Sequence, residues 1–277
     1  MKINLHTHSN FSLDGEYYPN ELIEILKKEN FDIISITDHD TCESYKHTRN
    51  FDNIKILTGM EADAIVNDHT YDFLCYGFDV ENVYEYASSK YETVDKRQKK
   101  IFDALVSLCN EKRIKLNDID SYNPFSEYAH AAIYRMLSKD FLITYNISCI
   151  SDLYRLSTTN KDFPLYIDMH IVWPDIKELL EVIHNNGGKV FLAHPYRYNK
   201  SVEEVLEDVK NYVDGIEICN NPKDKEEVEF LYNYALKNNL LVSCGSDYHG
   251  NDRYSVDCNY LTDEMIHSVL KWVNEIK

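Results

Sequence analysis

Short apolar runs alternate with amphipathic patterns from the first residues of the chain. The run KINLH predicts a strand, and YPNELIEILKKEN places its leucines and isoleucines on one helical face, which predicts a helix. FDIISITDHD is a nearly continuous apolar run, typical of a strand buried on both faces of a parallel sheet. IKILTGMEAD and YDFLCYGFD are two more predicted strands, and the polar VNDH between them predicts a hairpin turn.

The pattern changes between residues 82 and 168, where amphipathic stretches such as KKIFDALVSLCNEKRI and HAAIYRMLSKDFLI replace the strands. Strand and helix then alternate again, with the predicted strands KVFLAHP, GIEICNN and LLVSCGSDYHG and a closing helix from about residue 262. Such alternation predicts parallel strands joined by crossover helices. We therefore predict an α/β barrel domain over residues 1–81 and 169–277, with a helical insertion over 82–168 that lies over or beside the barrel mouth.

Histidines and carboxylates recur where the predicted strands end. The residues in this position are His6, His8, Asp38, His39, Asp40, Glu61, His194, Asp247 and His249. In a parallel α/β barrel the carboxyl ends of the strands converge on one face, where the active site is built. A lone histidine at a strand end is more often structural than a ligand. Five histidines at successive strand ends are much harder to explain in that way.

These residue types suit metal ions, because histidine and carboxylate are ligands of zinc, iron and manganese. His6 and His8 are two positions apart, so their imidazoles point to the same side of a strand and can bind one ion. Asp38, Glu61 and Asp247 placed together without a cation would repel one another. A cluster of divalent ions would remove that repulsion and would suit the displacement reactions of phosphoryl groups.

Composition narrows the class of protein. The 277 residues are 44% hydrophobic and 27% charged, which is typical of an ordinary globular protein. No apolar run approaches the roughly 20 residues of a membrane span, and no secretory signal pattern is present, so we expect a cytoplasmic location. The seven scattered cysteines lack a C-x-x-C pair and indicate reduced, mostly buried thiols. The net charge of −18 disfavours long nucleic acid, but not a small phosphorylated ligand or a short oligonucleotide.

Five motifs, HTHSNFSLDG, ITDHD, GMEAD, AHPYRY and GSDYHG, occur in an order that resembles the polymerase and histidinol phosphatase (PHP) family of metal-dependent phosphoesterases. The resemblance covers roughly residues 1–80 and 170–260, and the middle segment resembles the helical insertion of the stand-alone phosphoesterase branch. It implies a distorted TIM-like barrel of seven βα units and a site for two to three divalent ions of manganese, iron or zinc. A hydroxide between the ions would attack phosphorus, so no protein nucleophile is implied.

The resemblance also implies which residues hold each ion. The first ion would be held by His6, His8 and Asp247. Glu61 would bridge it to a second ion that His194 also binds. The third would be held by Asp14, His39 and His249.

One position departs from the family pattern. Asp72 stands where the family usually has a histidine, in the strand after the glutamate motif. A carboxylate is a harder ligand than imidazole and favours Mn²⁺ or Mg²⁺ over Zn²⁺. His69 is the alternative ligand, but it falls in the predicted hairpin turn, so we favour Asp72.

Two arginines resemble phosphate-binding residues of the family. Arg197 in AHPYRY matches an arginine of the small-phosphate branch, and its planar guanidinium suits bidentate phosphate binding. The alternative for Arg197 is a surface arginine that caps a helix. Arg135 in HAAIYRMLSKD resembles the arginine that reaches in from the inserted domain, although its spacing from His130 does not align cleanly.

The leading hypothesis is a hydrolase of phosphoric esters that acts on a small phosphorylated metabolite or nucleotide. The first alternative is a phosphodiesterase or 5′-3′ exonuclease on short oligonucleotides. The second is a non-catalytic metal-binding module, which the nearly complete ligand set disfavours. A metal-dependent amidohydrolase is a further alternative, but the bridging lysine typical of that superfamily is not evident at a predicted strand end.

Overall fold

A computed structural model describes residues 1–12, 14–198, 200–220, 224–250 and 255–276. In these ranges the chain forms a mixed α/β fold, which confirms the predicted class. The strands are β1 (Ile3–Asn4), β2 (Ile33–Ser35), β3 (Lys55–Leu57), β4 (Gly59–Val66), β5 (His69–Tyr76), β6 (Lys189–Leu192), β7 (Gly215–Cys219) and β8 (Leu241–Cys244). The α-helices are α1 (Pro19–Lys28), α2 (Val80–Lys90), α3 (Val94–Glu111), α4 (Ala129–Met136), α5 (Lys139–Thr144), α6 (Ile150–Thr159), α7 (Ile176–Asn185), α8 (Val202–Val209), α9 (Lys225–Lys237) and α10 (Asp263–Val273).

The strands form two sheets. The first has the order β1-β2-β3 and is parallel, and the second has the order β4-β5-β6-β7-β8, in which β5 runs antiparallel to β6 while β6, β7 and β8 are parallel. The predicted closed barrel is not confirmed, because the strand ladders of the described residues form two separate sheets. The first strand has only two residues, and beyond it a single bridge joins Thr7 to Tyr248.

The chain divides into two compact units. Unit 1 comprises Met1–Val66, Tyr71–Ser89 and Asp175–Lys277, and unit 2 comprises Asn67–Thr70 and Lys90–Pro174. The predicted hairpin turn is confirmed, since Asn67 and Asp68 both have positive φ angles, of 50° and 67°, as in a type I′ turn. The predicted assignment of residues 82–168 to an inserted domain stays a prediction.

Helices cover the strands of unit 1 with apolar side chains. Leu22 and Leu26 of α1 pack in one buried cluster with Ile34 of β2. At β8, the buried Trp272 of α10 donates a hydrogen bond from its indole nitrogen to the carbonyl oxygen of Val242, over 2.8 Å. Helices and apolar side chains of this kind are typical of strands buried in the core of an α/β fold.

Unit 2 is helical, apart from residues 67–70. Its buried side chains come from successive turns of the helices, as in Leu105 of α3, Ile133 of α4 and Leu153 of α6. His130 of α4 is buried, and its Nε2 lies 2.8 Å from Ser157 Oγ of α6. No helix of the described ranges of either unit is long and apolar enough to cross a membrane.

Candidate metal centre

The predicted ligands converge in unit 1, and three overlapping groups of their donor atoms could each hold an ion. The groups are His6, His8, Glu61 and Asp247; Glu61, Asp72 and His194; and His8, His39 and His249. Within each group, one donor atom from every residue lies within 4.8 Å of the others. Glu61 and Asp72 lie inside β4 and β5 rather than at strand ends, because β4 continues to Val66.

The first group is the most buried. Glu61 Oε2 lies 3.1 Å from Nε2 of both His6 and His8, and these two nitrogens are 3.1 Å apart. Asp247 Oδ1 lies 3.2 Å from His6 Nε2 and 3.1 Å from His8 Nε2. Two carboxylate oxygens and two imidazole nitrogens therefore face one point, which is a donor set suited to a divalent transition metal.

The Nδ1 atoms of His6 and His8 each have a hydrogen-bond partner elsewhere in the fold. His6 Nδ1 lies 2.9 Å from Glu217 Oε1, and His8 Nδ1 lies 3.0 Å from Ser12 Oγ. A hydrogen bond that Glu217 Oε1 accepts from this ring requires the His6 proton on Nδ1. In a neutral ring this leaves the Nε2 lone pair directed at the group, as in metal-binding histidines. The residues present therefore fit a metal ion.

The second group surrounds the other oxygen of Glu61. Its Oε1 lies 2.9 Å from His194 Nε2, and Asp72 Oδ2 lies 3.5 Å from the same nitrogen. His194 Nδ1 is buried without a hydrogen-bond partner among the described residues. Asp72 is thus the carboxylate that the structure brings to His194, whereas His69 is in none of the three groups found in the described ranges.

The third group contains His8, His39 and His249, of which His39 is exposed. The rings of His8 and His249 are stacked with centroids 4.0 Å apart, and His39 Nδ1 lies 3.3 Å from Glu61 Oε2. Asp14 is brought to this group, with Oδ2 3.2 Å from His249 Nε2 and Oδ1 4.0 Å from His39 Nε2. All nine predicted ligands are therefore neighbours in space, and their role as ligands stays a prediction.

The electrostatics show how strongly the site favours positive charge. Burial acts to lower the pKa of His8, but its bonds to Asp247 and Glu61 outweigh burial and raise that pKa to about 9. Burial acts to raise the pKa of Asp14, yet the His249 contact lowers that pKa to about 2. Burial also acts to raise the pKa values of Glu61 and Asp247. Contacts with histidines, above all the charge of His6, outweigh burial and hold both pKa values well below their usual range.

The two predicted phosphate-binding arginines have different surroundings. Arg197 Nη1 donates to Asp247 Oδ2, and the Arg197 side chain is 36% exposed, so its guanidinium borders both the site and solvent. Arg135 lies in α4 of unit 2, where its Nε and Nη2 donate to both oxygens of Glu127, at 3.2 and 2.9 Å. Phosphate binding by either arginine stays a prediction.

Two buried carboxylates, Glu217 and Asp38, have contacts that the sequence pattern did not predict. Asp38 does not join Glu61 and Asp247 in a candidate metal group of the described residues, because its oxygens accept bonds from Ser9 N and Ser9 Oγ at 2.7 and 2.8 Å. It therefore holds the loop after β1. Glu217 is fully buried in β7, and the signal available in sequence was one carboxylate inside the otherwise apolar GIEIC.

A family model of the PHP domain matches residues 4–193, more than half of the chain. The chain belongs to the PHP domain family. As the motifs implied, it is a hydrolase that acts on phosphoester bonds. PHP phosphoesterases use divalent metal ions, and the three groups of donors described above are the candidate sites for them in this member of the family.

Individual PHP relatives and solved structures are distant in sequence. A 5′-3′ exoribonuclease of Haemophilus influenzae is 24% identical over 261 residues, which cover 90% of each chain. The structure of a metal-dependent phosphoesterase from Bifidobacterium adolescentis is 23% identical with a TM-score of 0.58, covering 98% of this chain and 96% of that one. An amidohydrolase from Chromobacterium violaceum with bound sulfate is 19% identical with a TM-score of 0.62, covering 97% of both chains. These two likenesses concern the fold alone.

Proposed function

We propose that the protein hydrolyses the phosphoester of a small phosphorylated metabolite or nucleotide at a centre of two to three divalent ions of manganese, iron or zinc. The observation that carries the proposal is the position of Glu61, whose Oε2 faces His6 and His8 while its Oε1 faces His194. One carboxylate thus belongs to two adjacent candidate sites. Neighbouring divalent ions supply a water of lowered pKa and positive charge for the phosphoryl oxygens.

The proposed ligands are His6, His8, Asp14, His39, Glu61, Asp72, His194, Asp247 and His249. The chain's own part in the reaction is to hold these donors and to bind the phosphate. A cavity of about 320 Å³ opens at the site, lined by Asp14, His39, Glu61, Asp72, His194, Arg197, Tyr198, Asp247 and His249. None of these lining residues is serine, threonine, cysteine or lysine, which supports a mechanism without a nucleophile of those types.

Arg197 is the proposed phosphate-binding residue of this cavity. Its guanidinium lines the cavity and donates from Nη1 to Asp247 Oδ2. Bidentate binding of a terminal phosphate is the use to which this planar group is best suited. Arg135 of unit 2 is the second proposed phosphate-binding residue, and it would have to leave Glu127 to act.

A substrate with a terminal phosphate suits the size of the cavity. A volume near 320 Å³ is at the lower end of ligand pockets and suits one nucleotide or a smaller ester. The second candidate function is 5′-3′ exonuclease activity on short oligonucleotides, in which one terminal nucleotide would enter the cavity. The name of the Haemophilus influenzae relative favours it, with 90% of each chain aligned.

The proposal includes a distorted barrel of strands. What supports it is backbone pairing between the ends of the two sheets: Leu5 N donates to Cys244 O at 2.9 Å, and Asp247 N donates to His6 O at 2.8 Å. On the other side, an isolated parallel bridge joins His39 to Glu61. Both pairings bring proposed ligands of different strands together.

The test is a panel of substrates with the Mn²⁺-loaded protein. The panel contains phosphate monoesters, nucleoside monophosphates, nucleoside 3′,5′-bisphosphates and RNA of two to five nucleotides, with and without a 5′ phosphate. We expect turnover that Asp247→Ala abolishes and that His170→Gln, a change at an exposed histidine outside the site, leaves intact. Turnover of short 5′-phosphorylated RNA above all monoesters would select the exonuclease. No turnover on any substrate, with Asp247→Ala identical to wild type, would refute both.

A further inference from the structure

Glu217 contacts residues of two of the proposed metal sites. Its Oε1 lies 2.9 Å from His6 Nδ1, and its Oε2 accepts a hydrogen bond from the backbone N–H of His194 at 2.8 Å. His6 belongs to the group around Glu61 Oε2, and His194 to the group around Glu61 Oε1. Both oxygens of one fully buried carboxylate are therefore bonded to residues of different candidate sites.

We propose that Glu217 is a positioning residue of the metal centre, which fixes the proton of His6 on Nδ1 and holds the backbone of His194 in place. The inference rests on the proposed metal centre and concerns its assembly rather than its substrate. A carboxylate or carbonyl that accepts the second N–H of a ligating imidazole sets the tautomer and the direction of the ring. Glu217 would do this for His6 from strand β7 of the other sheet.

The second contact acts on the backbone. His194 has a φ angle of +29°, a region that residues with a side chain rarely adopt. Such a conformation persists only where surrounding bonds hold it. The bond from His194 N to Glu217 Oε2 is one of them, and it lies directly before the side chain whose Nε2 faces Glu61.

A carboxylate can accept a hydrogen bond at each of its two oxygens and can therefore satisfy both contacts at once. The backbone N–H of His194 donates to Oε2, and with the proposed proton on Nδ1 His6 donates to Oε1. A glutamine keeps one acceptor oxygen and replaces the other with an NH₂ donor. In Glu217→Gln, either His194 N loses its acceptor, or the NH₂ faces His6 Nδ1 and moves the ring proton to Nε2, the atom that faces the metal.

A matched control lies in the adjacent strand. Ser243 of β8 is paired in register with Glu217 and is also fully buried. Replacing Ser243 with alanine changes a buried polar side chain at the same level of the sheet and leaves His6 and His194 with their partners. A general loss of packing beneath the site would appear in both variants, whereas a loss of His6 positioning would appear in Glu217→Gln alone.

The experiment measures metal affinity and the His6 tautomer instead of turnover. Affinity for Mn²⁺ is measured by titration calorimetry on wild type, Glu217→Gln, Glu217→Asp and Ser243→Ala, with circular dichroism to verify folding. We expect Glu217→Gln to weaken binding by about 10- to 100-fold, the usual effect of losing such a contact, and Ser243→Ala to bind as wild type. In Zn²⁺-loaded wild type with ¹⁵N-labelled histidine, the His6 proton should be on Nδ1.

Two results would overturn the inference. One is a folded Glu217→Gln variant that binds Mn²⁺ as tightly as wild type. The other, which needs no variant to fold, is a metal-loaded wild type whose His6 carries its proton elsewhere than Nδ1. A third check uses the variant His6→Asn. If Glu217 acts through His6, the change Glu217→Gln should weaken Mn²⁺ binding less in the His6→Asn protein than it does in the wild-type protein. Wild type without metal affinity would instead refute the proposed metal centre itself.

Discussion

At the scale of single residues, the proposed ligands on the two sides of Glu61 differ in chemistry. The side of Oε2 has the two imidazoles of His6 and His8 besides the carboxylate of Asp247. The side of Oε1 has only the imidazole of His194 besides the carboxylate of Asp72. Carboxylates favour harder ions, and imidazole suits zinc. We therefore expect Asp72→His to raise the ratio of Zn²⁺ affinity to Mn²⁺ affinity of the protein, measured by competitive titration and elemental analysis.

The same experiment decides between Asp72 and His69. His69→Asn should leave the ratio of the two affinities unchanged, because His69 is in none of the candidate groups of the described chain. A shift with His69→Asn and none with Asp72→His would show that the ligand on this side is His69.

Protons compete with metal ions for the same donor atoms. The pKa of His8 is raised to about 9, against the effect of burial, by Asp247 and Glu61, so its imidazole is protonated at pH 7 in the metal-free protein. A metal that takes Nε2 must displace that proton. We expect Mn²⁺ uptake at pH 7 to release about one proton or more, with affinity falling about tenfold per pH unit below 9 for each proton displaced.

Calorimetry in two buffers of different ionisation enthalpy measures this release. The observed heat of Mn²⁺ binding should differ between the buffers at pH 7, and the difference should shrink above pH 9. Equal heats in both buffers at pH 7 would mean that His8 is neutral before the metal binds, or that it is not a ligand.

Whether the sequence can identify a residue of the site depends on whether its role follows from its own motif or from its neighbours in the folded sheet. His6, His8 and Asp247 follow apolar runs in recognisable motifs, so they could be proposed as ligands from their positions and from the family resemblance. Glu217 could not, because its role depends on which N–H groups β1 and the end of β6 present to β7. Those neighbours are set by sheet order, which a run such as GIEIC does not encode.

At the scale of elements, the site requires the end of β8 to pass very close to the end of β1. Gly245 follows β8, and a Cβ added there would lie 2.1 Å from His6 Cβ and 2.5 Å from His6 N. The second of these atoms is backbone, which cannot rotate away. We expect Gly245→Ala to lower the free energy of unfolding by at least about 1–3 kcal/mol, as overpacked sites do, and to abolish metal binding by separating His6 from Asp247.

Gly187→Ala is the control for the loss of a glycine as such. Gly187 has a φ angle of +83° but nothing within 4 Å of an added Cβ, so the change should cost only the conformational strain of about 1–2 kcal/mol. Urea unfolding and Mn²⁺ titration of both variants make the comparison. Normal metal affinity in Gly245→Ala would contradict the close approach of the two strands.

The hydrophobic periodicity predicted most helices and strands correctly, but it did not predict where strands end or how the sheets pair. The alternation after residue 169 predicted α7 to α10 and β6 to β8 in the right order, and the polar VNDH predicted the turn before β5. The predicted single strand IKILTGMEAD is wrong, because it forms β3 and part of β4, which belong to different sheets. Its end was also placed too early, at Glu61, because a polar side chain inside a strand resembles the end of one. Whether the two sheets join could not be predicted from periodicity, since contacts between them include single bridges such as Thr7 to Tyr248.

At the scale of the whole molecule, net charge bears on which phosphorylated substrate is used. The chain carries −18 at pH 7, and three bound divalent ions would remove only a part of that charge. Long-range repulsion of an anion grows with its charge, whereas a contact with Arg197 acts only at short range. The protein should therefore treat a mononucleotide and an oligonucleotide differently at low ionic strength.

Salt provides the test of this difference. Proteins that bind nucleic acid through cationic surfaces lose affinity as salt rises. Between 20 and 200 mM KCl the Debye length falls from roughly 20 Å to below 10 Å, so salt should screen the repulsion between this protein and an anion. We therefore expect the ratio of kcat/KM for a 5′-phosphorylated pentanucleotide to kcat/KM for a nucleoside monophosphate to rise over this range. Steady-state kinetics at fixed Mn²⁺ measures the ratio. A steep fall of the ratio with salt would instead reveal a cationic path for the oligonucleotide and would favour the exonuclease over the hydrolysis of small phosphate esters.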